Sequence, residues 1–353
     1  MAAPAPASQL VMEGYNVDAL SAVPGASSLV AGLSSFIGQE WTGAVAVLGP
    51  AADGSLHAQA LLPVRAGVPA VACLPHPDEF TGRRVLASGS DEGSVDLWYL
   101  SPSNAGTRAA AELSHATARV AHDAAVLCLT CPTAGSAGSG SAQQQQQLAS
   151  ASADGTLRLW DCSQLLACTA QLGIAGGAAM NGVAWTADPS LLASASADGR
   201  LCLWDARQLG SSPAAAAAVG APALAVAAAA GGSGSQLLVA GDLLGRLSVF
   251  DARNLAQPLQ QRRLHGDAVH ALAASASGGG GSGSQVASGG DDGAIMLLDL
   301  ASLAASRQLL PARREGEVPL YVRSLAWAGG QQGGQKQQLY RGGWDQAVAQ
   351  VPL

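Results

Sequence analysis

Residues 147–162 read QLASASADGTLRLWDC and residues 191–206 read LLASASADGRLCLWDA, almost the same sixteen letters written twice. A near-copy after about 40 residues constrains the fold more than any other feature, because so short a unit cannot bury its apolar face alone and must stack on further copies. Each copy opens on an alternating run of small and apolar residues, Leu148 to Ala153 or Leu192 to Ala197, and meets Asp154-Gly155 or Asp198-Gly199. A second alternating run ends in Trp160-Asp161 or Trp204-Asp205. Two runs of period 2 joined by Asp-Gly are the strongest short-range signal of a β-hairpin.

Further copies flank this pair. A clear one is VLASGSDEGSVDLWYL from Val85. LLVAGDLLGRLSVFDA from Leu237 carries Phe250 at the Trp position, and QVASGGDDGAIMLLDL from Gln285 carries Leu298 there. QLYRGGWDQAVAQVPL runs from Gln338 to the last residue. The first copy is faint: SLVAGLSS from Ser28, then FIGQEWTG read as an extended turn, then AVAVLG. The seven hairpins fall at about 28–49, 85–100, 147–162, 191–206, 237–252, 285–300 and 338–353. Each supplies strands b and c of a four-stranded unit, with strand a before it: Val17 to Val23, Ala70 to Leu74, Val126 to Cys131, Gly182 to Trp185, Ala223 to Ala228, Val269 to Ala273 and Val322 to Trp327. The chain ends on strand c of the seventh unit, and Ser8 to Met12 can complete it. The expected architecture is all-β, one seven-bladed β-propeller over 8–353 closed by an N-terminal strand, with 1–7 a disordered tail. Such closure removes the open edges that invite aggregation.

These hairpins with terminal Trp-Asp resemble the WD40 β-propeller family. The resemblance implies a hydrogen-bonded chain in each blade from a His before strand a, a Ser or Thr in strand b, an Asp in the b–c turn and the Trp of strand c. Blade three carries all four, as His122, Ser150, Asp154 and Trp160. Blade six keeps His265, Ser288 and Asp292 but has Leu298, and blade four lacks the His. A His-Ser-Asp set imitates a hydrolase triad. Its repetition at structural positions assigns it to the fold, where buried polar groups need partners.

Charge and composition exclude whole classes. A net charge of −7 with no basic stripe argues against direct nucleic-acid binding. The start, MAAPAPASQL, has neither a basic region nor an apolar core, and no stretch reads as a membrane span. Cys128 and Cys131 form C-x-x-C without a second pair, so no metal and no cofactor is expected, and the thiols read as small apolar groups of a reducing compartment. No nucleophile, carboxylate pair or phosphate loop stands outside the repeat, so the chain is not expected to be an enzyme. Gly, Ser, Ala and Gln tracts at 133–147, 231–236, 275–285 and 329–338 each fall between strands a and b. Insertions on that face leave the opposite face, with its tight Asp-Gly turns, as the expected working surface.

The two ends narrow the family. PGASSLVAGLSSFIGQEWTGAVAVL in blade one and YVRSLAWAGG with LYRGGWDQAVAQVPL in blade seven are similar to the methylosome WD-repeat subunits, as are EGSVDLWYL and IMLLDLASLAASRQL. The resemblance implies a cytoplasmic and nuclear scaffold that binds a type II protein arginine methyltransferase and presents arginine-rich substrates, histones and Sm proteins among them. It implies a partner-binding site at Trp41, in the turn read over FIGQEWTG, with Phe36 and Gln39 beside it; Gln39 stands where animal members typically have Arg. A competing resemblance is to WDxR-type substrate receptors of cullin-RING ubiquitin ligases, carried by Trp204, Asp205 and Arg207 as the adaptor-binding box. Nucleoporin and peroxisomal import propellers share the fold alone.

Overall fold

The computed structural model describes residues 9–37, 40–51, 53–78, 81–101, 111–132, 146–164, 166–173, 176–208, 212–231, 235–275, 284–303, 306–311, 320–329 and 337–353. Within them the strands form seven four-stranded antiparallel sheets. Blade 3 is the pattern: Val126–Thr130, Gln147–Ser152, Thr156–Asp161 and Ala167–Gly173, hydrogen-bonded in chain order as strands a to d. Each strand a packs on the next blade's strand a, and that of blade 7 (Val322–Ala328) packs on that of blade 1 (Asn16–Ala22), so the ring closes. The closing strand is Gln9–Val11, paired with Ala347–Val351 so that Leu10 lies opposite Val348. Ser8, the tail at 1–7 and most of the low-complexity tracts lie outside the described residues.

Alternation along each strand places the core between blades. Seven apolar clusters form, one in each seam: Leu29, Leu33 and Leu48 of blade 1 meet Ala326, Tyr340 and Val348 of blade 7, and Trp160 of blade 3 meets Leu97 and Val85 of blade 2. The Trp position of strand c thus faces the preceding blade, which is why Phe250 and Leu298 can fill it without a hydrogen-bond partner.

The Asp-Gly hairpins differ in one respect from the two-residue loop such a dipeptide favours. In blade 3 Gly155 takes φ 82° while Asp154 does not adopt positive φ, as expected of a three-residue loop whose last residue is left-handed. Blade 7 has Gln346 at this glycine position, with φ 60°. A left-handed side-chain-bearing residue costs about 1 kcal/mol. Gln346→Gly is therefore expected to raise the melting temperature, although it gives up the weak bond from the Gly14 amide to Gln346 Oε1 at 3.3 Å. A lowered melting point would show that this tether to the closing strand outweighs the strain.

The four polar residues of blade 3 form one directed chain. Trp160 Nε1 donates to Ser150 Oγ at 2.9 Å, Ser150 lies 2.7 Å from His122 Nε2, and His122 Nδ1 lies 3.0 Å from Asp154 Oδ2. An ionised Asp154 can only accept, so Nδ1 carries the proton and the Ser150 hydroxyl donates to Nε2. Burial works against the Asp154 carboxylate, but bonds from Thr156, His122 and the Asp123 amide outweigh it and hold its pKa below the usual range. The imidazole is neutral in this arrangement, and burial pushes its pKa below the ordinary value despite Asp154. Protonation of the unfolded histidine then favours unfolding once the pH falls through about 6.5. Folding stability is expected to drop between pH 7.5 and 5.5, and His122→Gln to flatten that slope; an unchanged slope in urea titrations would place the dependence elsewhere.

Candidate functional site

The a–b and c–d loops share one face of the ring, and the b–c turns and d–a links share the other, here called the turn face. Several large apolar side chains stand exposed at the b–c ends of the hairpins: Phe36 and Trp41 of blade 1, Leu243 and Leu244 of blade 5, and Trp344 of blade 7. Scattered apolar exposure is ordinary, but aromatic rings at hairpin tips are not needed by the seams.

In blade 1 the structure corrects the sequence reading. The stretch FIGQEWTG is not an extended turn: strand b runs over Leu29–Ile37 and strand c over Glu40–Pro50, with Phe36 opposite Trp41 and Ile37 opposite Glu40. Pairing continues to the tip because each unpaired backbone amide would lose a ladder bond, and the facing aromatic rings support it, with centroids 5.8 Å apart. Trp41 is therefore a strand residue, 47% exposed. Gln39 lies outside the described residues.

The register turns Phe36 and Trp41 toward blade 2, on the side of Val30 and Val45 in the seam between the blades. There the indole Nε1 donates to Asp91 Oδ2 in the b–c turn of blade 2. The approach depends on Gly67 in the link between the blades, where an added Cβ would lie 2.4 Å from the indole nitrogen and 2.2 Å from the carboxylate oxygen. Asp91 thus orients the exposed ring.

Blade 7 repeats the device. Trp344 Nε1 donates to Asp18 Oδ1 at 2.9 Å, the Arg323 guanidinium lies 4.1 Å above the Trp344 ring, and Tyr321 meets that ring edge-on. Arg323 also pairs with Asp291 at 3.3 Å, and His270 Nε2 lies 3.1 Å from the same carboxylate. Asp18, His270 and Arg323 occupy equivalent places: each is the residue skipped by the register shift near the start of strand a, as are Leu127, Asn181 and Leu224. A bulge re-aims its side chain. Here it brings six half-buried residues to the inner rim of the turn face.

The alternative box lies on the opposite face. Trp204 is buried, its Nε1 bonded to Ser194 Oγ at 2.8 Å, and Arg207 folds back on Asp205 with bonds of 2.9 and 2.7 Å. These bonds hold the Asp205 pKa down at about 2. The Arg207 side chain is exposed, but its guanidinium is engaged within the chain.

Against known families, a profile described as WD domain, G-beta repeat matches residues 116–161 and 168–205, most of blades 3 and 4. The fold is a seven-bladed β-propeller, and two of its blades carry the WD repeat. A search of curated proteins returned no match. WD40 propellers generally serve as non-catalytic platforms for protein interaction, and among the described residues no three His, Cys, Asp or Glu side chains gather in a metal-holding group. No helix among them is long and apolar enough to cross a membrane.

Proposed function

We propose that this WD40 propeller is the non-catalytic scaffold of a protein arginine methyltransferase complex, a methylosome subunit of the cytoplasm and nucleus. One patch binds a type II arginine methyltransferase, and another presents arginine-rich substrates such as histone tails and Sm proteins. The observation that carries this reading is Trp41: a large ring at a hairpin tip, half-exposed, oriented by Asp91 and backed by Phe36. An aromatic anchor of this kind fits a partner's pocket and carries a large share of an interface's energy. The net charge of −7 suits basic substrates by electrostatic steering.

The reading is tested by affinity recovery from cell extract. The expected result is that the wild-type propeller brings down an arginine methyltransferase, and that Arg207→Ala does so equally well. Recovery of a cullin adaptor instead, lost with Arg207→Ala, would overturn the assignment in favour of a ligase receptor.

A further inference from the structure

The carboxylates of the turn face divide into two kinds. Asp291 has its cations: burial works against its charge, but His270 and Arg323 outweigh that and hold its pKa below the usual range. Asp18 has no ion pair of its own. Burial raises its pKa, hydrogen bonds from Ser34 and Trp344 and the nearby charge of Arg323 offset this only partly, and Asp91 lies close enough to raise it further. Among the described residues no Lys, Arg or His forms an ion pair with Asp18 or Asp91. Each carboxylate accepts an indole N–H, from Trp344 and from Trp41, and a carboxylate has acceptor positions beyond the one so used.

Two half-exposed indoles thus flank two neighbouring carboxylates with which no Lys, Arg or His among the described residues forms an ion pair. The chain itself supplies a sample of the missing chemistry, since Arg323 lays its guanidinium over Trp344 while pairing with Asp291. Planar guanidinium stacks on aromatic faces and meets carboxylates with two parallel bonds, whereas an ammonium ion is a compact, strongly hydrated point charge. We propose that Asp18, Asp91 and Trp344 form a docking site for an arginine side chain of a basic peptide, at the rim of the turn face beside the Trp41 anchor. The proposal rests on the reading of this chain as a presenter of arginine-rich substrates, and it places the substrate next to the bound enzyme.

The test uses the full chain without any methyltransferase, so that its outcome is separate from enzyme recovery. A fluorescently labelled synthetic peptide of alternating glycine and arginine is titrated with the protein and followed by anisotropy. Wild type is expected to bind it more tightly than the glycine–lysine counterpart. Asp18→Asn, which keeps the shape and an acceptor oxygen for Trp344, should weaken binding about tenfold, the scale of one charged hydrogen bond. Trp344→Ala should weaken it at least as much; if that variant unfolds, Asp18→Asn and Asp91→Asn carry the test. Glu112→Gln removes the same charge from an exposed position on the opposite face and should leave binding unchanged. No binding by wild type, equal affinity for the lysine peptide, or an equal loss with Glu112→Gln would overturn the site, whatever the methyltransferase recovery shows.

Discussion

Trp160→Ala is expected to cost about 3 to 5 kcal/mol of folding stability, the largest effect of any single substitution considered for this propeller. The side chain is buried in the seam between blades 2 and 3, packed among Leu97, Val85 and Leu148. Its removal opens a cavity that two rigid sheets cannot close and takes away the N–H that Ser150 accepts. Leu298→Ala, at the same strand-c position of blade 6, loses fewer atoms and no hydrogen bond, and should cost about 2 to 3 kcal/mol. Chemical denaturation of the two purified variants measures the difference. If Leu298→Ala proves the more damaging, the polar chain of blade 3 does not contribute as its geometry implies.

Trp41→Ala should reduce affinity for the methyltransferase at least about thirtyfold, corresponding to about 2 kcal/mol for removal of a buried interfacial tryptophan. The fold should be spared, because the ring is half-exposed near the hairpin tip, where it meets Phe36, Asp91 and Gly67, and it is part of none of the apolar clusters between the blades. Circular dichroism and the melting temperature should stay near wild type while the enzyme is lost from pull-downs. Asp91→Asn retains an acceptor for the indole but not its charge, so an intermediate loss is expected. Undiminished recovery with Trp41→Ala, or a variant that unfolds, would refute the anchor.

Most of the ring was legible in the chain because its information is local and repeated. Period-2 alternation marks each strand, Asp-Gly marks the hairpins of blades 3, 4 and 6, and seven copies leave one way to close the edges. The hydrogen-bonded set of His122, Ser150, Asp154 and Trp160 could be named for the same reason: a polar group destined for burial must bring its partners, and they recur at fixed offsets. The hairpin of blade 1 misled because Gly38 and Gly43 in FIGQEWTG look like turn formers, while the pairing that carries strand c out to Glu40 is decided by backbone bonds.

The sequence by itself determined the fold class, the number and order of the blades, and the residues of the one complete polar chain. Only the tertiary structure decided what the turn face is. Trp41 and Asp91 are separated by 50 positions and Trp344 and Asp18 by 326, yet each pair is in contact. No local periodicity encodes such meetings. They arise because ring closure sets the last blade beside the first, and because bulges near the start of strand a turn Asp18 and Arg323 toward the rim, where their charges meet the neighbouring blades.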